Sequence, residues 1–265
     1  MPRIKVNDIN MYYESHGQGE PIVLISGFSA DHTAWDGVID ILAKNNEIIV
    51  FDNRGAGQTD VSKGPYSIEL LANDTAALCS ELGIKKAHFI GNSMGGMIVQ
   101  DLSYRHSSLV KSVIISNSTL YRQSCFHYYL LAQLHLLKTN AEKSAIVKAS
   151  CSWLFSFQFL SQEGVLEQLV EDELNNPYPF TIPANEAQLA ALASFDSRGW
   201  AKNINVKTLV IGSDQDLIFN EASIKEVAKH IPKAQYYCFD NCGHLPQIEY
   251  PQQFAKIVSQ FISCI

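Results

Sequence analysis

No apolar stretch in this chain of 265 residues approaches the roughly 20 needed to cross a bilayer as a helix. The opening residues, MPRIKVNDINMYYESHG, alternate polar and apolar side chains and lack the apolar centre of a secretory signal. Together these absences make a cytoplasmic location the default expectation, with no membrane partner. Cysteine is sparse: six residues (Cys79, Cys125, Cys151, Cys238, Cys242, Cys264) are scattered without a repeated metal-type spacing. Cys238 and Cys242 bracket a short stretch, but no second pair answers them, so the thiols read as reduced and no metal is expected. Positive charge is also short, with 20 Lys and Arg against 27 Asp and Glu and a formal net charge of -7, which weighs against nucleic acid as a partner. Internal repeats and low-complexity or linker-like tracts are missing too.

What is present is an ordinary globular profile, 46% hydrophobic and 18% charged. RIKV, a turn at Asn7-Asp8 and INMYYES predict an opening β-hairpin. PIVLIS, EIIVFD, AHFIG, VKSVIIS, VKTLVIG and AQYYCFD are short apolar runs rich in β-branched residues, the pattern of strands buried on both faces of a parallel sheet. Helical patterns alternate with them at 67–82 (Ser67 a plausible N-cap), 95–106, 220–230 and 251–262. Strand alternating with helix predicts an α/β fold with a doubly wound, mostly parallel sheet. The alternation lapses between about Thr119 and Trp200, where aromatic and leucine-rich helical segments run without a buried strand and NNPYPFTIP forces an irregular connection. This segment reads as a helical lid inserted between two strands, so that 1–118 and 201–265 form the core and 119–200 the lid.

In a doubly wound sheet, the loops at the carboxyl ends of the strands meet at one edge and form the ligand site. GNSMGG lies between a strand run and a helix run, and Gly-x-Ser-x-Gly in that setting describes a nucleophile elbow presenting Ser93 at a helix N-terminus. A serine hydroxyl needs a base, and His244, in CGHLPQIEYP after the last strand, reaches the same edge. The other histidines, among them His32, His88, His127 and His135, read as structural or lid residues. A carboxylate must orient the imidazole, and VIGSDQDLIF offers Asp214 and Asp216, both also at home in a turn. Asp216 is favoured because it sits just before LIFN, where the chain turns into the next helix. The backbone amides of Met94 and of Phe28, in ISGFSADHTAWD, form the natural oxyanion hole.

With these motifs in hand, the chain resembles the α/β-hydrolase superfamily nearly end to end, through MYYESHGQGEPIVLISGF, FDNRGAGQTD, GNSMGG, VIGSDQDLIF and CGHLPQIEYPQQF. Within it the chain is similar to small bacterial esterases and lactonases, such as 3-oxoadipate enol-lactonases and pimeloyl-carrier-protein methyl ester esterases. The resemblance implies Ser93 as nucleophile, His244 as base, Asp216 as acid, Phe28 and Met94 as oxyanion hole, and no cofactor. It implies hydrolysis of a carboxylic ester, lactone or thioester through an acyl-enzyme. Two departures stand out: Ser26-Gly27 where the family usually has His-Gly, and Asn92 beside the serine, similar to carbon–carbon bond hydrolases, although Leu245 after His244 does not fit that group. A slow or non-catalytic ligand receptor and a cofactor-free perhydrolase are the other readings. Asp52 and Arg54 read as a structural turn. The excess of Arg122, Lys138, Lys143 and Lys148 over Glu142 in residues 119–150 leaves two readings open, a solvated helix face or a dock for an acidic carrier protein that bears the acyl group.

Overall fold

The computed structural model of the protein describes residues 2–265. Eight strands form one sheet: β1 (Arg3–Val6), β2 (Ile9–His16), β3 (Glu20–Ile25), β4 (Asn46–Phe51), β5 (Ala87–Asn92), β6 (Val110–Ser116), β7 (Lys207–Ser213) and β8 (Gln235–Phe239). They lie in the order β1-β2-β4-β3-β5-β6-β7-β8. β1 and β2 join antiparallel, as the hairpin pattern predicts, and β4 through β8 run parallel.

Alternate residues of the central strands face opposite sides of the sheet, because a strand repeats every two residues. Val23, Ile25, Ile49, Phe51, Phe89, Val113, Ile115 and Val210 enter one core. Ile22, Leu24, Ile48, Val50, Ile90, Ile114, Leu209 and Ile211 enter the other. The continuous apolar runs are thus explained: both faces are covered. Each such side chain contributes about 1.5–3 kcal/mol by leaving water.

The first core is roofed by α2 (Ile68–Glu81), α3 (Met94–Arg105) and α9 (Glu221–His230). The second is roofed by α1 (Asp36–Leu42) and α11 (Pro251–Ile262). Ser67 caps α2 by accepting from the Leu70 amide, and Pro251 opens α11, whose Phe254, Ala255, Val258 and Phe261 make its buried stripe. Helix α1 begins where the loop ISGFSADHTAWD ends, in a stretch to which the sequence pattern assigns no element; its Val38, Ile39 and Leu42 bury a single short stripe.

Between β6 and β7 the chain builds α4 (Ser124–Lys138), α5 (Lys143–Leu154), α6 (Phe157–Leu160), α7 (Val165–Asn175) and α8 (Ile182–Ser194). A four-residue helix, α10 (Pro246–Glu249), precedes α11. No described helix is long and apolar enough to cross a membrane.

The order β4-β3-β5 fixes where a ligand can sit. From β3 the chain moves to one side to make β4, then crosses back to make β5 on the other. At such a switch point the loops leaving neighbouring strands diverge and leave a crevice. The two loops here carry Phe28 and Ser93.

Candidate active site

Ser93 follows β5 directly and precedes the first residue of α3, with φ 56° and ψ -117°. A non-glycine residue held there costs on the order of 1–3 kcal/mol and needs surrounding support. The support is visible. The Ser93 amide donates to Ser116 O (2.9 Å), and its carbonyl accepts from the Gly96 amide and from Ser118 Oγ (2.9 and 2.8 Å). Glycine is obligatory around it because backbones nearly touch: a Cβ on Gly91 would lie 2.1 Å from Gly95 O, and one on Gly95 2.1 Å from Ile25 O.

Opposite, Gly27 approaches so closely that a Cβ there would sit 3.1 Å from Ser93 Cβ. Ser26, the departure from the usual His-Gly, is built in firmly. Its hydroxyl donates to Asp31 O (2.9 Å) and accepts from the Trp35 indole (3.0 Å), and its carbonyl accepts from Asn53 (3.0 Å). The loop is also tied to the insertion, through Ser29 N to Gln188 Oε1 (3.1 Å) and an edge-on contact of Phe28 with Phe180 (5.5 Å). The amides of Phe28 and Met94 donate to no acceptor among the described residues. The geometry leaves the predicted pair of donors unengaged beside the serine.

His244 is buried (1% exposed), and its Nδ1 lies 2.8 Å from Asp216 Oδ2. An ionised carboxylate only accepts, so Nδ1 carries the proton and Nε2 presents a lone pair. Nε2 is buried and has no hydrogen-bond partner among the described residues. Asp216 supports the ring with one oxygen and its own turn with the other: Oδ1 accepts from the amides of Ile218 and Phe219 (2.8 and 3.0 Å). It is therefore both a turn residue and the partner of histidine. Asp214, the other candidate, is exposed and accepts from the Cys242 amide (3.2 Å), bracing the loop after β8.

Two asparagines complete the arrangement. Asn117 Nδ2 donates to Asp216 Oδ2 and Ser213 Oγ, each at 3.0 Å. Asn92 Nδ2 donates to the carbonyl of His244 (3.2 Å), joining the elbow strand to the histidine loop. Neither role is visible along the chain, though Asn92 stands out for its place beside Ser93. Phe219 packs edge-on against the His244 ring (5.5 Å), and Phe126 of α4 packs edge-on against Phe219 (5.7 Å).

The histidine loop is clamped to the insertion as well. The His244 amide donates to Leu154 O (2.7 Å). The carboxylate of Glu249 accepts from the amides of Gly243 (2.9 Å) and Ser156 (3.0 Å) and from the Ser156 hydroxyl (2.5 Å). Burial raises the pKa of Glu249 above the ordinary carboxylate value, against the pull of those donors.

Asp52 and Arg54 lie in a separate network. Arg54 is buried (1% exposed) and bidentate to Asp74 (2.7 and 2.8 Å), with Nη2 also on Asp8 (2.7 Å). Asp52 Oδ1 accepts from the amide and Nδ1 of His32 (2.7 and 2.8 Å). The ligand atoms of Asp31, His32 and Asp52 lie within 4.8 Å of one another. Two of them are joined by that hydrogen bond, so the trio serves to hold the turn. The six cysteines are free. Of the basic side chains in the first part of the insertion, Lys138 is paired with Glu186.

Set against known proteins, residues 20–251 match the family described as alpha/beta hydrolase fold. The chain belongs to that family. It is 26% identical over 98% of both chains to a relative from Azorhizobium caulinodans named carbamate hydrolase RutD. It is 27% identical to a Mycobacterium tuberculosis relative named non-heme bromoperoxidase BpoC, over 97% of this chain and 99% of the relative. The enol-lactonase from Burkholderia xenovorans LB400 superposes with a TM-score of 0.90 at 26% identity, covering 99% of this chain and 100% of that one.

Proposed function

We propose that this protein is a serine hydrolase that cleaves a carboxylic ester or lactone through an acyl-enzyme. The observation that carries the reading is His244 Nε2: a buried imidazole nitrogen without a partner, on a ring oriented by Asp216. Buried polar atoms are almost always satisfied, so an orphan of this kind marks a place for something that comes and goes.

The chemistry follows from the groups present. Nε2 takes the proton of the Ser93 hydroxyl as its oxygen attacks the substrate carbonyl carbon. The carbonyl π-bond opens, and the oxyanion is received by the amides of Phe28 and Met94, each such donor worth about 2.7–4 kcal/mol of barrier. Collapse expels the alkoxide, which takes the proton from the imidazolium. Water then repeats the sequence on the acyl-enzyme, releasing the acid and restoring Ser93. Asp216, hydrogen-bonded to Nδ1, orients the ring and stabilises the transient imidazolium. The insertion acts as a lid over the crevice, its Gln188 and Phe180 holding the Phe28 loop and its Ser156 and Leu154 holding the histidine loop. Carbamates and enol-lactones, named for two of the similar proteins, are likewise acyl compounds open to attack at a carbonyl.

The test is a chain-length series of p-nitrophenyl esters on wild type and Ser93→Ala. Turnover by wild type that falls at least about 10⁴-fold in Ser93→Ala, with an unchanged melting curve, supports the assignment. Comparable turnover by the variant overturns it.

A further inference from the structure

Tyr12, Glu14 and His16 alternate along β2 and therefore share one face of the strand. The loop after β3 brings His32 onto them. Its ring lies tilted on Tyr12, with 4.9 Å between centroids, and its Nε2 stands 3.6 Å from Glu14 Oε1. His16 reaches the same carboxylate, with Nε2 2.8 Å from Oε2. Two imidazoles thus turn the same nitrogen toward the two oxygens of one carboxylate.

The second nitrogen of His32 makes this grouping informative. Nδ1 lies 2.8 Å from Asp52 Oδ1, an oxygen that also accepts from the His32 amide, and Asp52 is fully buried. An ionised carboxylate only accepts, so Nδ1 carries the proton, and in the neutral ring Nε2 presents a lone pair. That lone pair faces a carboxylate oxygen over 3.6 Å, too far for a hydrogen bond and repulsive without a cation between them. Two ligands of one tetrahedral zinc ion, each about 2.0–2.2 Å from the metal, stand roughly 3.3 Å apart. An imidazole whose other N–H is held by a carboxylate is also the common form of a metal-ligating histidine, because that bond fixes tautomer and ring plane.

We propose that Glu14, His16 and His32 form a site for a zinc-class divalent ion, held by a Glu14 oxygen and the two Nε2 atoms, with water completing the tetrahedron. The two nitrogens meet different oxygens of the carboxylate, so His16 must turn to share the ion. Its side chain is 36% exposed, which leaves it free to turn and gives the ion a way in. Two imidazoles select a transition metal over Mg²⁺ or Ca²⁺, which take oxygen ligands. The site lies outside the proposed machinery and braces it. His32 follows Asp31, whose carbonyl accepts from the Ser26 hydroxyl (2.9 Å), two residues before Phe28. Without metal, the His32 ring serves the turn through Asp52; with metal, β2 is tied to that turn as well.

The experiment is calorimetric titration of the full chain, stripped with EDTA, with ZnCl₂ and in parallel with MgCl₂ and CaCl₂, followed by melting curves with and without zinc. The expected result is one zinc per chain, far weaker binding of Mg²⁺ and Ca²⁺, and a higher Tm with zinc. His16→Gln should keep the metal-free Tm of wild type and weaken zinc binding at least about tenfold, since losing even a supporting partner of a metal ligand costs that much. Glu14→Gln should weaken it too. Replacing the exposed thiols, Cys125→Ser with Cys264→Ser, should leave zinc binding unchanged. No zinc binding, an affinity unaltered in His16→Gln, an affinity lost with the two thiols, or Mg²⁺ held as tightly as zinc overturns the proposal.

Discussion

Two histidines in this molecule hold a buried aspartate through Nδ1 over the same 2.8 Å: His32 on Asp52 and His244 on Asp216. What separates them is the other nitrogen. His32 Nε2 faces Glu14 (3.6 Å), in a surround that also holds Asp31. Burial opposes charging of that ring, but the hydrogen bond to Asp52 and the nearby carboxylates outweigh it, and its pKa stands above the ordinary value. His244 Nε2 has no hydrogen-bond partner among the described residues, and Phe219 packs edge-on against the ring. An Asp–His pair is therefore no signature of catalysis by itself. With an acid beyond it, the ring is held as part of a turn; without a partner beyond it among the described residues, the second nitrogen is left free to meet another group.

Removing each carboxylate in turn breaks the comparison most sharply. Asp216→Asn should lower kcat by about 10⁴-fold, the loss seen when a triad aspartate is replaced in a serine protease, because the imidazole takes the wrong tautomer. Asp214→Asn should stay within about tenfold of wild type, since Asp214 only braces a loop. The reverse ranking would transfer the acid's role to Asp214. Asp52→Asn should leave the chemistry nearly intact, and a loss of activity comparable with that of Asp216→Asn would erase the distinction between the two pairs.

Stability should sort the pairs the other way. Arg54→Ala strands Asp74 in the interior and should cost about 3–5 kcal/mol in denaturant unfolding, with kcat in the folded protein little changed. Asp52→Asn should cost less, about 1–3 kcal/mol, and with a particular pH dependence. The folded-state pKa of His32 is raised, so the stability it contributes is fully present below the unfolded value of about 6.5 and is lost as pH climbs through the folded one. The margin of wild type over Asp52→Asn should accordingly be widest in mild acid and narrow on the alkaline side; a margin that grows with pH would show that protonated His32 is not its source.

The strands and the elbow were legible in the sequence because both are local. Buried runs such as EIIVFD declare themselves by composition, and Gly91 and Gly95 are required by contacts within a few residues of Ser93 and one neighbouring strand. The same holds for the cap on α2. Asn117 and Asn92 were hidden for the opposite reason: their partners lie 99 and 152 residues away. Ser26 was hidden too, since only the folded loop shows its hydroxyl holding the indole of Trp35. Asp216 is favoured over Asp214 in the sequence by its place before LIFN; that its Oδ2 faces His244 Nδ1, while Asp214 accepts from the Cys242 amide, depends on contacts 28 residues away that the chain does not display.

Glu249 gives the molecule a hinge pin. One carboxylate grips Gly243, next to His244, and Ser156, in the middle of the insertion. A rocking movement of the helices over the crevice would pull on the histidine loop in the same stroke, as a door moves its latch. For anyone exchanging residues 119–200 for another protein's segment, the transplant must therefore bring a donor pair to the place of Ser156; a graft judged only on the shape of its pocket would leave the loop of His244 loosened.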